Sequence, residues 1–217
     1  MKLLLDLIIL DFDGVIINSG ADISAAVNHT RSLFDLPSLP GPTIIEYIGD
    51  GVRALIERSF KGCSPEMLEP ALSLYREYYR LHALDETRLY PHVRTTLKAL
   101  HGTGKKIALV TNKSESLAEL ILTGLEVRSY FDLVVGPESV QRMKPDPQGV
   151  IKVLDEFQTA ARCAIMVGDT DSDIEAGRRA GTWTCGASYG LGDKENLFKS
   201  RPDLIIDDIA ELLAHIE

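Results

Sequence analysis

The chain has 217 residues, of which 45% are hydrophobic and 25% are charged, and this composition predicts a soluble protein with a packed core. Its formal net charge is −9 and no basic run is long enough to follow a nucleic-acid backbone, which argues against nucleic acids and anionic membranes as partners. The three cysteines are far apart and form neither a disulfide framework nor a CxxC metal motif, so we expect a reducing, cytoplasmic location.

The N-terminal half begins with one strand and continues with helices. The apolar run Leu7–Leu10 predicts a buried parallel strand that ends at Asp11. No stretch is long enough to span a bilayer, and no signal-peptide cleavage site follows the first apolar residues. From residue 21 to about residue 82 the apolar residues recur at helical spacing, with a loop at residues 37–42 and a break at Gly62. This pattern predicts a unit of several short helices.

Strands and helices alternate after residue 90. Strands are predicted at residues 107–110, 131–135, 164–167, 182–187 and 204–206. Helices are predicted at residues 95–100, 114–122, 148–157 and 172–180, with Ser114 as an N-cap and Gly181 as a stop. Such alternation predicts an α/β fold with a doubly wound, Rossmann-like parallel sheet. We therefore expect a core of residues 1–17 and 87–217, with an all-helical insertion at residues 18–86.

Two carboxylates follow the first predicted strand. Asp11 and Asp13 lie two residues apart and point the same way from an extended segment, and Gly14 supplies the turn that follows. In open α/β sheets ligands bind at this edge, where two carboxylates can hold a hard cation and divide the nucleophile and acid/base roles. The alternative is a solvated Asp-Gly turn at the end of a strand.

Two further segments offer groups that suit an anion. Thr111 and Asn112 follow the predicted strand at residues 107–110, where a hydroxyl and free backbone N–H groups suit a phosphate oxygen. An ordinary loop threonine is the alternative. Lys144 begins the sequence Lys-Pro-Asp-Pro, whose prolines can direct its ammonium group into the crevice, although an isolated lysine beside prolines is also typical of an exposed loop.

A cluster of aspartates follows the predicted strand at residues 164–167. Asp169, Asp171 and Asp173 alternate with small residues after Gly168, and their close spacing favours a divalent cation that offsets their mutual repulsion. A helix N-terminus also explains Asp171 and Asp173, because negative charge is favourable there. It explains Asp169 less well, since this residue lies on the strand side of the turn.

Taken in order, four segments resemble the haloacid dehalogenase superfamily of phosphatases. They are DFDGV (11–15), VTN (110–112), KPDP (144–147) and GDTDSD (168–173). The resemblance implies that Asp11 is a nucleophile that becomes an aspartyl phosphate, and that Asp13 is the general acid/base. It implies that the substrate is bound by Thr111, Lys144, Asn112 and Gly14. It also implies a Mg²⁺ site formed by the Asp11 carboxylate, the Asp13 backbone carbonyl and Asp169, with support from Asp173.

The resemblance also suggests a reaction and a substrate. Dehalogenases and phosphonate-cleaving members lack an aspartate at the place of Asp13, so its presence implies hydrolysis of a phosphate ester or anhydride, or a mutase. The insertion corresponds to a mobile cap, in which residues 47–58 are similar to the cap signature of phosphoglycolate phosphatases. An ordinary glycine-containing turn before a helix is the alternative. Arg53 is our candidate for binding the substrate carboxylate, with Arg58, Arg76 and Arg80 as alternatives.

Other functions stay open at this stage. The same core occurs in sugar-phosphate phosphatases, pyrophosphatases and β-phosphoglucomutases, and a mutase needs a cap that holds a second phosphate. A function from another class is a catalytically silent domain that binds phosphorylated metabolites or a protein. The intact set of Asp11, Asp13, Thr111, Lys144 and Asp169 argues against that. We expect a small phosphorylated substrate and no nucleic-acid or membrane partner; the oligomeric state is not predicted.

Overall fold

A parallel sheet forms the centre of the molecule, for which a computed structural model describes residues 2–217. The strands are β1 (Leu7–Leu10), β2 (Ile17–Asn18), β3 (Arg88–Leu89), β4 (Lys106–Val110), β5 (Leu133–Val135), β6 (Ala164–Gly168), β7 (Trp183–Ala187) and β8 (Leu204–Ile206). Six of them form the sheet in the order β5-β4-β1-β6-β7-β8, with all neighbours parallel. The α/β fold class predicted from the sequence is confirmed.

Within residues 2–217, ten α-helices surround this sheet or lie in the insertion. They are α1 (Gly20–Ser32), α2 (Gly41–Ile45), α3 (Gly51–Ser59), α4 (Leu68–His82), α5 (Val93–Gly102), α6 (Glu115–Gly124), α7 (Gln148–Glu156), α8 (Asp171–Ala180), α9 (Lys194–Lys199) and α10 (Leu212–His215). Among the described residues, none of these helices is both long enough and apolar enough to cross a membrane.

The central strand β1 is completely buried because both faces of the sheet are covered. Ile8 and Leu10 belong to a cluster that includes the apolar residues of α5, α6 and the insertion. Leu7 and Ile9 point to the opposite face and pack with residues of α7 and α8. This alternation explains why the strand is apolar at every position.

The order of the strands locates the site. From β1 the chain passes to β4 and β5 on one side of the sheet, and then returns to β6, β7 and β8 on the other side. Such a reversal of direction leaves a crevice at the carboxyl end of the central strand, which here is the end at Asp11.

The insertion, which comprises helices α1 to α4, is joined to the core by a short antiparallel ribbon. Ile17 of β2 pairs with Leu89 of β3, and Asn18 pairs with Arg88. Beside it, the buried Asp22 accepts hydrogen bonds from the backbone N–H groups of Glu86 and Thr87 and from the Thr87 hydroxyl, at 2.7–3.1 Å. The two connecting segments are therefore tied to each other; the exact division into residues 18–86 and the core stays a prediction.

Several elements differ from the sequence-based expectation. The sequence analysis missed β2, β3, α9 and α10, and it assigned Gly41 to a loop although α2 begins there. The expected strand at 131–135 is shorter, because a 3₁₀ turn at Arg128–Tyr130 precedes β5. These elements are two to six residues long, so they contain too few residues to show a hydrophobic period.

Ser114 occupies the expected N-cap position of α6, but its side chain makes no capping hydrogen bond. The backbone N–H of Glu115 instead donates to the Glu138 carboxylate at 3.0 Å, and Glu115 in turn accepts from the N–H of Gly136 at 2.8 Å. The first turn of α6 is therefore capped from a different segment of the chain, which a local sequence pattern does not reveal.

Candidate active site

A buried ion-pair cluster lies at the carboxyl end of β1. Asp11 follows this strand directly, and its Oδ1 is 2.7 Å from Lys144 Nζ. The same ammonium group is 2.6 Å from Asp173 Oδ1 and donates to the Val110 carbonyl oxygen at 2.7 Å. Lys144 is therefore not the exposed loop lysine of the alternative hypothesis, because its side chain is only 3% exposed. It joins the ends of β1 and β4 to the start of α8.

Burial shifts the protonation equilibria of this cluster. It raises the pKa of Asp11 to about 7, an effect that Lys144 opposes and Asp173 reinforces. The pKa of Asp169 is raised well above its usual value by burial and by the charges of Asp173 and Asp11. Burial lowers the pKa of Lys144, but Asp11 and Asp173 outweigh it and the net shift is upward. Three buried carboxylates around one ammonium group favour a further cation.

Asp169 provides the most direct observation in favour of a metal. Its Oδ2 accepts hydrogen bonds from the backbone N–H groups of Leu191 and Gly192, both at 2.8 Å. Its Oδ1 is buried and has no hydrogen-bond partner within the described residues. Carboxylate oxygens of Asp11, Asp169 and Asp173 all lie within 4.8 Å of one another. A buried oxygen without a donor is costly unless a cation binds it, so the residues present fit a hard divalent cation.

Asp173 has little capacity left to bind a metal directly. Its Oδ1 contacts Lys144, and its Oδ2 accepts from the Thr170 backbone N–H at 3.1 Å and from the Thr170 hydroxyl at 2.7 Å. The bond from the Thr170 N–H is one half of the N-terminal capping box of α8, in which the Thr170 side chain also accepts from the Asp173 backbone N–H. The geometry thus favours the supporting role that the resemblance implied for Asp173.

Gly14 makes room for Asp169. Its φ is +85°, and a Cβ at this position would lie 1.8 Å from Asp169 Oδ2. Gly190 and Gly192 approach Asp169 in the same way from the loop after β7, where a Cβ would lie 2.3 Å from Asp169 Cβ and 2.2 Å from the Asp169 carbonyl oxygen, respectively. The sequence analysis missed this loop. Its repeated Gly-x-Gly at residues 190–192 was a visible signal, although it did not identify Asp169 as the neighbour.

Thr111 and Asn112 lie at the same edge of the sheet, and they differ in which side-chain hydrogen-bonding groups remain available to a ligand. The Thr111 oxygen accepts from the Lys113 N–H at 3.2 Å, so its hydroxyl proton remains available to an anion. Both ends of the Asn112 amide are occupied. Its Oδ1 accepts from the Lys144 N–H at 3.1 Å, and its Nδ2 donates to the carbonyl oxygens of Lys144 and Gly49 at 3.1 and 2.8 Å. Asn112 therefore holds two loops in place.

Asp13 is held by residues that the sequence analysis did not identify. Its Oδ1 accepts from the Ser19 hydroxyl at 2.5 Å and lies 3.2 Å from Lys113 Nζ. Lys113 also donates to the hydroxyl oxygen of Tyr79 at 2.9 Å. Burial raises the pKa of Tyr79 well above its usual value, so the phenol stays neutral and its oxygen can accept. The only signal for Lys113 was its position directly after the VTN segment.

A cavity of about 610 Å³ separates the sheet edge from the insertion. Asp11, Asp13, Thr111 and Asp169 line it on the core side. The insertion contributes apolar side chains together with Tyr75, Tyr79, Arg53, Arg76 and Arg80. The cavity is large enough for a small metabolite, and the four core residues proposed from the sequence meet at its floor.

Arg53 lines this cavity but already has partners. Its Nη2 is 2.6 Å from Glu69 Oε1 and its Nη1 is 3.8 Å from Glu57 Oε1, and the hydrogen bond to Glu69 raises the pKa of Arg53. Arg58 is paired with Asp50 and is not among the lining residues. Arg76 and Arg80, one turn apart on α4, line the cavity and make no ion pair within residues 2–217. The role of Arg53 stays a prediction.

Comparison with known proteins agrees with this geometry. Residues 8–187 match the family model of haloacid dehalogenase-like hydrolases. The chain is 39% identical to a phosphoglycolate phosphatase from Aquifex aeolicus over 84% of each protein, and 32% identical to one from Vibrio cholerae over 95% of each.

Solved structures have the same architecture. A crystal structure from Haemophilus somnus, described as a "predicted phosphoglycolate phosphatase", superimposes with a TM-score of 0.94 at 28% identity and covers 99% of both chains. A haloacid dehalogenase-like protein from Streptococcus pneumoniae superimposes with a TM-score of 0.87 at 26% identity over 97% of both chains. Since the family model covers most of the chain and the relatives match over nearly their full length, this protein belongs to the haloacid dehalogenase-like hydrolases and is similar to the phosphoglycolate phosphatases among them.

Proposed function

We propose that this hydrolase is a Mg²⁺-dependent phosphatase that transfers the phosphoryl group of a small phosphate monoester to Asp11 and then to water. The observation that carries the proposal is the buried ion pair of Asp11 and Lys144 beside Asp169, with Asp11 and Asp169 lining the cavity. The excess of carboxylates over cations there and the unpaired Asp169 Oδ1 support a divalent metal. Asp11, Asp169 and the Asp13 carbonyl are the proposed ligands. The bound Mg²⁺ supplies positive charge to the phosphoryl oxygens.

Phosphoryl transfer depends on positioning and on neutralising charge more than on covalent chemistry. In our proposal the Asp11 carboxylate attacks phosphorus and forms an aspartyl phosphate. The Lys144 ammonium, 2.7 Å from Asp11, and the Thr111 hydroxyl bind the transferring oxygens. Lys144 is held in place by Asp173 and the Val110 carbonyl, so its charge needs little reorganisation during the reaction.

Asp13 is the proposed general acid/base. It donates a proton to the oxygen of the leaving alcohol, and it then accepts a proton from the water that attacks the aspartyl phosphate. Ser19 and Lys113 hold its Oδ1. Its Oδ2 has no hydrogen bond to a group in residues 2–217, which leaves this oxygen for the reacting proton.

We propose 2-phosphoglycolate as the substrate, with glycolate and phosphate as products. The names of the relatives support this choice, and so do the arginines that line the insertion side of the cavity. The net charge of −9 makes such local cations important, because the overall field opposes an anionic substrate. We further propose a cytoplasmic location, which the three unpaired cysteines support.

A phosphate-release screen tests the proposal. The purified protein is assayed with 2-phosphoglycolate, sugar phosphates, pyrophosphate and p-nitrophenyl phosphate, each with Mg²⁺ and with a chelator. We expect Mg²⁺-dependent release from p-nitrophenyl phosphate and the highest kcat/KM with 2-phosphoglycolate. Isomerisation of a hexose phosphate without net release indicates a mutase. Lack of turnover of every substrate indicates a silent binding domain.

A further inference from the structure

Lys113 is a buried lysine that no motif explains. Its side chain is only 6% exposed, and its ammonium group lies 3.2 Å from Asp13 Oδ1. The same group donates to the Tyr79 hydroxyl at 2.9 Å and lies 4.6 Å from the centre of the Tyr79 ring. Asp13 and Lys113 belong to the core, whereas Tyr79 belongs to helix α4 of the insertion. One ammonium group therefore connects the proposed acid/base to the helical insertion.

Asp13 is anchored by this connection on one side and by Ser19 on the other. Ser19 donates to Asp13 Oδ1 at 2.5 Å and lies between β2 and α1, where the chain enters the insertion. Both groups that hold Asp13 therefore depend on the position of the insertion, Ser19 directly and Lys113 through Tyr79. Asp11 is different, because its partner Lys144 bonds only to core groups.

The contacts of Lys113 with Asp13 and with Tyr79 are expected to form together. A buried ammonium group is costly unless charged and polar partners replace its water, and Asp13, the Tyr79 oxygen and the Tyr79 ring supply these. If α4 moves away from the sheet edge, Lys113 loses both contacts to Tyr79 and becomes accessible to solvent. Lys113 is then no longer held beside Asp13, which is left with Ser19, the second of its two partners. The arrangement of α4 and the orientation of Asp13 are thus linked.

We infer that Lys113 is a positioning residue that couples the docking of α4 to the orientation of Asp13. This inference rests on the proposed role of Asp13 as general acid/base. In the docked arrangement Lys113 and Ser19 hold Oδ1 and direct Oδ2 toward the leaving group. When the insertion docks over a substrate, it therefore orients Asp13 for proton donation at the same time as it excludes water. A competing role for Lys113 is direct binding of the substrate carboxylate, since it also lines the cavity.

The experiment compares three substrates and four variants. The substrates are p-nitrophenyl phosphate, which needs little protonation of its leaving group, glycerol phosphate, an alkyl phosphate without a carboxylate, and 2-phosphoglycolate. The variants are Lys113→Met, Tyr79→Phe, Asp13→Ala and the double variant of Lys113 and Asp13. Tyr78→Phe serves as a control, because Tyr78 lies on the same helix but stacks between His29 and His82 outside the cavity. Thermal melting checks that each variant is folded.

A positioning role predicts losses that depend on the leaving group. For Lys113→Met we expect kcat to fall about 10- to 100-fold with both alkyl phosphates and by less than about 3-fold with p-nitrophenyl phosphate. Tyr79→Phe is expected to show the same pattern with a loss of about 2- to 10-fold, since it removes one neutral acceptor. Adding Lys113→Met to Asp13→Ala is expected to cause almost no further loss, because Lys113 acts through Asp13.

Other outcomes overturn the inference. A loss confined to 2-phosphoglycolate, seen mainly in KM, assigns Lys113 to the substrate carboxylate. Equal losses with all three substrates assign it a structural role. If Lys113→Met does not fold, Tyr79→Phe decides the question, and activity equal to that of Tyr78→Phe rejects the coupling. A wild type without Mg²⁺-dependent turnover overturns the proposed function itself, whereas an active wild type with unaffected variants overturns the inference alone.

Discussion

The two sides of the cavity hold their charged groups in different ways. On the core side, the side chains of Lys144 and Asp173 are only 3% and 1% exposed, and Lys144 Nζ lies 2.6–2.7 Å from oxygen atoms of Asp11, Asp173 and Val110. On the insertion side, the side chains of Arg53 and Glu69 are 55% and 70% exposed. The core pairs are shielded from water and salt, whereas the insertion pairs are not. The residues proposed for phosphoryl transfer thus lie on a more rigid surface than the residues proposed to select the substrate.

This difference has an energetic reason. Removing one member of a buried ion pair leaves an uncompensated charge and typically costs about 3–5 kcal/mol, whereas an exposed pair contributes about 0–1 kcal/mol. Substitutions on the core side are therefore expected to affect every substrate. Substitutions on the insertion side are expected to change selectivity with little effect on stability.

The largest effect is expected for Asp11→Asn. The amide cannot form an acyl phosphate, so turnover of every substrate is expected to vanish. The fold should persist, because Lys144 keeps its ion pair with Asp173 and the neutral amide replaces a carboxylate whose burial is unfavourable. Phosphate release measures the activity, and an Mg²⁺–fluoride phosphate analogue should be bound at Asp11 in the wild type. Substantial residual hydrolysis by the variant would contradict the assignment of Asp11 as nucleophile.

Asp13→Ala is expected to lower kcat by about 10²- to 10⁴-fold with alkyl phosphates, the usual contribution of a general acid/base. The loss should be smaller with p-nitrophenyl phosphate, since its leaving group needs less protonation. Steady-state kinetics with both substrates measure the difference. Equal losses with the two substrates would show that Asp13 is not the acid.

The insertion side is tested by comparing arginines. The sequence predicts that Arg53→Ala lowers kcat/KM with 2-phosphoglycolate, whereas the contact between Arg53 and Glu69 favours Arg76 or Arg80 as the group that binds the carboxylate. For the arginine that does bind it, a loss of about 10- to 150-fold is expected with this substrate and almost none with p-nitrophenyl phosphate. Alanine variants at the three positions identify it. A loss shared by both substrates would remove the contrast between the two sides of the cavity.

The smallest effect concerns the stability of the metal-free protein. The pKa of Asp11 is about 7 in the folded chain and near 3.8 in the unfolded chain, so between these values the folded chain binds more protons. Stability without metal therefore falls as the pH rises from about 4 to about 7. The raised pKa of Asp169 acts in the same direction.

Mg²⁺ competes with protons for these carboxylates, so the increase in Tm that it causes should grow with pH across this window. Thermal melts with Mg²⁺ and with a chelator at pH 5, 6, 7 and 8 measure it. A change of 1 kcal/mol corresponds to about 2–4 °C in a domain of this size. A constant difference at all four pH values would indicate that no carboxylate of the cluster takes part in binding.

Much of the core could be predicted from the sequence because its determinants are local. The run Leu7–Leu10 is apolar on both faces of the strand, so it forms the buried central strand. Asp11 and Asp169 each follow such a run, so the parallel order of the strands brings them to one edge. Gly14 could be predicted to form a turn, but not to make room for Asp169, since that contact joins residues far apart in the chain.

The sequence was sufficient to predict an α/β sheet with Asp11, Asp13, Thr111 and Asp169 at the carboxyl ends of its strands, and Lys144 in a loop before a helix. The partner of each charged group depends on how distant segments pack together in the fold. Lys113 and Tyr79 are 34 residues apart and belong to different parts of the molecule, and the pairing of Arg53 with Glu69 joins two helices. The positions of strands and helices follow from hydrophobic patterns that repeat every few residues. Which charged groups pair with each other depends instead on how segments far apart in the chain pack together, and no local pattern contains that information.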